Sequence, residues 1–75
     1  MSRKYLIVIE QADDGSFSAY VPDLPGCTTC GDSVEEVKTL MQEALEFHLE
    51  GMRDAGQPIP LPTTVSDYIA TPLVS

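Results

Sequence analysis

Basic residues are scarce in this 75-residue chain: four Lys and Arg stand against twelve Asp and Glu, for a formal net charge of −8. Phosphate backbones are gripped by Lys and Arg, so direct nucleic-acid binding is not expected. Cysteine is scarce too. A secreted scaffold of this size is usually stapled by several disulfides, and Cys27 and Cys30 supply little of that. No basic stretch followed by an apolar core opens the chain, so no secretory signal is read and a reduced, cytoplasmic setting is expected. Long apolar runs are missing. The longest, Tyr5 to Ile9, falls far short of the ~20 residues that cross a bilayer.

What the chain does have is architecture. At this length it forms one domain over 1–75 and buries only a little over ~60% of its unfolded surface, which leaves a thin stability margin. Self-association into a homo-oligomer, a dimer or tetramer, is the expected source of further stability. The acidic surface suits solubility and would draw a basic protein partner inward.

Tyr5-Leu6-Ile7-Val8-Ile9 is β-branched and apolar on both faces, as a covered central strand would be. Asp14-Gly15 is a hairpin signal. Phe17, Ala19 and Val21 then alternate with Ser18 and Tyr20 at period two. Pro22 ends that strand, because proline cannot donate to a ladder. Leu24-Pro25-Gly26-Cys27 fits a type II turn, and a short strand follows. Ser33 caps a helix, with Glu36 completing a capping box and acids filling the first turn. Val34, Val37, Leu40, Met41, Ala44, Leu45, His48, Leu49, Met52 and Ala55 recur at helical spacing, and Glu43, Glu46, Glu50 and Asp54 lie largely opposite. Gly56 and Pro58 end the helix. The reading is α+β: strands over 3–12, 17–22 and 27–31, a long helix over 34–55, a proline-rich exit over 57–62 and an edge strand over 64–70. One face of the antiparallel sheet carries the helix.

Candidate chemistry is thin. A redox Cys-x-x-Cys sits at a helix N-terminus, and here the helix starts several residues later. Two thiols so spaced on a strand point to opposite faces, and zinc would find only His48 as a further soft ligand. One Cys is therefore expected to be buried and the other more exposed. His48 lies on the apolar side of the helix with no nucleophile implied beside it, which suits packing or an interface. The carboxylates of Asp13, Asp14, Asp23 and Asp32 sit in turns and do not converge as a two-metal site requires. No catalytic residue, metal or cofactor is expected.

The pieces Tyr5-Leu6-Ile7-Val8-Ile9-Glu10, Asp13-Asp14-Gly15-Ser16-Phe17, Ala19-Tyr20-Val21-Pro22-Asp23-Leu24-Pro25-Gly26-Cys27, Gly31-Asp32-Ser33-Val34-Glu35-Glu36, Ala44-Leu45 and Gly56-Gln57-Pro58-Ile59-Pro60 occur in this order over nearly the whole chain. In this they resemble the HicB-type antitoxins and the short HicB-like proteins grouped with them. The resemblance implies a β-β-β-α-β core, a partial RNase-H-like fold without the nuclease carboxylates. It also implies a non-catalytic protein that binds and masks a small basic messenger-RNA-cleaving toxin of the HicA type. Longer members carry a C-terminal DNA-binding domain. No basic helix follows the core here, so direct operator binding is not expected. Partner contact is expected at Tyr20, Asp23, Leu24, Glu46 and Glu50, with sheet edges and the distal helix serving self-contact. The competing reading is a stand-alone oligomeric binding module with no toxin.

Overall fold

Strand pairing starts from the hairpin chemistry. In the computed structural model, which describes residues 3–73, β1 (Val8–Gln11) pairs antiparallel with β2 (Phe17–Tyr20), and β2 pairs antiparallel with β3 (Thr28–Gly31). The sheet order is β1-β2-β3. The single helix among the described residues, α1 (Val34–Asp54), lies across β3 and β2, as the α+β reading expects. At the hairpin tip the Ala12 N–H donates to Ser16 O at 2.8 Å and the Gly15 N–H to Ala12 O at 3.0 Å. Asp14 Oδ1 accepts from the Ser16 hydroxyl at 2.6 Å and the Ser16 N–H at 2.9 Å. Those two bonds, the hydroxyl foremost, hold the Asp14 carboxyl below its ordinary range.

β1 is shorter than the sequence suggests, and the register says why. Val8 faces Tyr20, so continued pairing would set Leu6 against Pro22 and Arg3 against Pro25. Neither proline has an N–H to donate. β2 accordingly stops at Tyr20, and the backbone turns into a corner instead. The Leu24 N–H donates to Val21 O at 3.1 Å, the Cys27 N–H to Leu24 O at 3.2 Å and the Val21 N–H to Cys27 O at 3.3 Å. Gly26 takes φ 88°, the positive value a type II turn demands after Pro25. Residues 3–7 are thereby left outside the paired strands.

The corner and the first half of α1 make the core. Ala19, Val21, Leu24, Cys27, Val37 and Met41 are buried, and Cys27 Sγ lies 3.9 Å from Met41 Sδ. Tyr5, Ile7, Ile9, Phe17, Ala44, Leu45, Leu49 and Met52 pack around them, half-buried. At the start of α1 the Glu36 N–H donates to Ser33 Oγ at 3.1 Å. The returning bond of the capping box comes from the Asp32 N–H to Glu36 Oε2 at 3.3 Å, one residue before the cap. Gly56, at φ 70°, closes the other end: its N–H reaches Arg53 O at 3.0 Å and the Gln57 N–H reaches Met52 O at 2.9 Å.

The exit segment runs back past the sheet. The Tyr5 hydroxyl donates to Pro60 O at 2.6 Å, and Asp23 then accepts from Thr63 and Thr64. The edge strand expected over 64–70 is not formed: these residues pair with no strand. Val65, Tyr68 and Ile69 are almost fully exposed, so no side chain holds the segment against a sheet edge. The resulting shape is drawn out, 53 × 26 × 20 Å with a radius of gyration of 14.8 Å. A compact chain of this length would have about 11 Å.

Candidate functional site

Asp23 is the best-tied of the expected contact residues, and its ties are internal. Its Oδ1 accepts from the hydroxyls of Thr64 at 2.7 Å and Thr63 at 3.1 Å, and its Oδ2 from their N–H groups at 3.1 and 3.2 Å. The Thr64 hydroxyl, then the Thr64 N–H, hold the carboxyl below its ordinary range, with Thr63 adding to them. Asp23 therefore clamps the exit segment to the β2–β3 corner. Leu24 requires a correction as a contact residue. It is 1% exposed, because the turn that begins at it folds its side chain inward against the core. Tyr20 lies on the sheet face away from α1, exposed between Val8 and Thr28 of the neighbouring strands.

Glu46 and Glu50 are exposed on α1 but serve different surfaces. Glu46 stands at the rim of an open groove of about 740 Å³ between residues 3–7 and α1. Tyr5, Ile7, Leu45 and Leu49 give the groove an apolar floor, with Arg3 and Lys38 also lining it. Glu50 belongs to the outer face of α1. At 100° per residue, Leu40, Glu43, Phe47, Glu50 and Asp54 fall within an arc of about 80°. Phe47 is 80% exposed on it, between Asp54 and Leu40 across the arc, with Glu43 one turn before it and Glu50 one turn after. Sequence reasoning missed Phe47 because it looked for the apolar stripe. The signal was the misfit itself: a Phe at a position where helical spacing puts acids.

The thiols fall as expected. Cys27 is buried, and burial pushes its thiol pKa up, which suits a small core hydrophobe. Cys30 is exposed. His48 is half-buried on the same side of α1 as Met41 and Met52. Among the described residues, no three His, Cys, Asp or Glu side chains gather as they would around a metal ion, and no helix is long and apolar enough to cross a membrane. The surface features that remain are ones that proteins use on one another: a grooved flank, an acidic helix face with an exposed aromatic, and an apolar segment standing in solvent.

Several known proteins are similar to this chain over most of its length. A protein of the rep-hol intergenic region of Haemophilus phage HP1 is 38% identical over 68 residues, 91% of this chain and 50% of its own length. A UPF0150 protein of Synechocystis is 35% identical over 69 residues, covering 92% of this chain and 82% of that protein. Antitoxin HicB 1 of Photorhabdus laumondii is 32% identical over 71 residues, 93% of this chain and 46% of that protein. The chain thus spans about half the length of the phage protein and of the Photorhabdus antitoxin. The family described as the HicB-like antitoxin of bacterial toxin–antitoxin systems matches residues 5–74. With a match of that extent, over the strands, corner and helix just described, the chain belongs to the HicB-like antitoxin family.

Proposed function

We propose that this chain is a non-catalytic antitoxin that acts in the cytoplasm as a homo-oligomer and masks a small basic messenger-RNA-cleaving toxin of the HicA type. The observation that carries the reading is the family match over residues 5–74. The outer face of α1 supports it physically. Glu43, Glu50 and Asp54 offer negative charge to a Lys- and Arg-rich surface, and Phe47 offers an apolar anchor among them. Complementary charge speeds encounter and suppresses wrong partners, while a buried aromatic holds the complex. The net charge of −8 steers in the same direction.

Sequencing the flanking reading frames, and co-expression with any small basic protein encoded there, tests the reading. The two chains should co-purify, the complex should form more slowly as salt rises, and RNA cleavage by the basic protein should stop when this chain is added. Phe47→Ala and Glu50→Lys should each weaken the inhibition without unfolding the protein. Absence of any such neighbouring reading frame, or uninhibited cleavage in the mixture, refutes the toxin assignment. The second reading, a stand-alone oligomeric binding module without a toxin, draws its support from the uncovered groove beside α1.

A further inference from the structure

Residues 65–73 and the groove beside α1 are two halves of one contact, and we infer that they meet between copies: the 65–73 segment of one chain lies along residues 3–7 of a second, filling that chain's groove. This specifies how the proposed homo-oligomer forms and is independent of the toxin assignment.

Three observations carry the inference. The first is unused backbone. Residues 3–7 lie outside the paired strands, because Pro22 and Pro25 occupy the positions where β2 would have continued. An apolar extended run with free N–H and C=O groups is a template for an added strand. The second is an unhoused apolar segment. Tyr68 is 97% exposed, and Val65, Ile69 and Leu73 are nearly as bare. Nine extended residues reach about 30 Å, more than enough to cover the five of the template. The third is complementarity. In an extended segment Val65, Asp67 and Ile69 share one face. That face matches an apolar floor of Tyr5, Ile7, Leu45 and Leu49, and Asp67 can pair with Arg3 or Lys38 in a lining that also carries Glu35 and Glu46. Tyr68, on the other face, would come beside Leu6.

The segment leaves its own groove unfilled. The chain touches the groove flank at Pro60, through the Tyr5 hydroxyl, and is then clamped to the β2–β3 corner at Thr63 and Thr64 by Asp23. Beyond the clamp Val65, Tyr68, Ile69 and Leu73 stay exposed, and none of them lines the groove of their own chain. Seated in a second copy's groove, with that copy's segment returned in the same way, they close a two-fold dimer.

Sedimentation of the full chain over a dilution series tests this. The wild type should dissociate reversibly from dimer to monomer. Ile69→Asp, which alters a side chain 88% exposed in its own chain, should be monomeric throughout with its monomer fold intact by circular dichroism. Lys38→Glu, at the exposed rim, should weaken the dimer with its fold intact. Mixing Ile69→Asp with Leu45→Asp should restore some dimer, since one arm and one groove remain sound. Amides 3–7 should be protected from hydrogen exchange in the wild type and exposed in Ile69→Asp. A wild type monomeric at every concentration, whether or not amides 3–7 are protected, overturns the inference. So does an Ile69→Asp dimer that dissociates at the wild-type concentration. Toxin inhibition plays no part in these readouts, so failure here leaves the toxin assignment standing, and the reverse.

Discussion

Replacing Leu24 with Ala separates a core residue from a contact residue. Leu24 is 1% exposed and is among the largest side chains buried completely. Truncating a buried Leu costs about 2–5 kcal/mol, with the higher values where the surroundings cannot collapse into the space. The surroundings here are held by three backbone hydrogen bonds among Val21, Leu24 and Cys27 and by the Pro25-Gly26 turn, so collapse is resisted. We therefore expect about 3–4 kcal/mol. A chain of this length has roughly 4–11 kcal/mol in total at 0.05–0.15 per residue. At about 6 °C per kcal/mol for this size, the melting temperature should fall by about 20 °C. The assay is a circular-dichroism melt with urea titration, both at one fixed protein concentration, because the proposed self-association would make the midpoint concentration-dependent. A loss under about 1 kcal/mol refutes the packing argument. So does an unchanged melt accompanied by lost partner binding, which would place Leu24 on a contact surface after all.

Three further outcomes are expected. Ser33→Ala removes the acceptor for the Glu36 N–H and should cost about 1 kcal/mol, read as a drop of about 6 °C in the melt. Phe47→Ala should leave the melt within about 0.5 kcal/mol of wild type, since the residue is 80% exposed, and a larger loss would show that the ring packs on its own chain. The Asp23 clamp should be pH-dependent: a carboxyl held below its ordinary value stabilises the folded state above the unfolded pKa and stops doing so as pH falls through the lower folded value. The protection of the Thr63 and Thr64 amides, taken as intrinsic over measured hydrogen-exchange rate at each pH, should therefore fall in acid, and Asp23→Asn should show low protection already at neutral pH.

Elements fixed by local chemistry were legible in the sequence. The hairpin, the type II corner, the Ser33 cap and the Gly56 stop each depend on a few adjacent residues with narrow backbone demands, and each formed where those residues stand. What depended on a partner strand was not legible. Tyr5 to Ile9 reads as a covered strand, yet only Val8 and Ile9 of that run pair, because the fate of the others lies with Pro22 and Pro25. The 64–70 segment has strand composition but pairs with no strand, its apolar side chains being left in solvent. The site divided the same way. Acidity was visible in composition, whereas the Asp23 clamp joins residues forty positions apart that no periodicity links, and Leu24 looked like a corner residue open to solvent.

The distribution of burial bears on why so small a protein keeps so much apolar surface. α1 is 21 residues long, about 31 Å, while each strand is four residues, about 13 Å. The sheet can cover less than half of the helix. Burial tracks this: Val37 and Met41 are closed off near the sheet, whereas Leu45, Leu49 and Met52 further along stay half-open. A helix cut to the length of its sheet would bury its apolar face fully and add to a thin stability margin. The extra turns, the bare Phe47 and the exposed segment after Thr64 are tolerable in solution only at the cost of solubility, against which the net charge of −8 works. Length beyond what the fold can cover, kept soluble by charge of one sign, is what a chain needs if its apolar surface is to be completed by other chains of suitable shape and opposite charge.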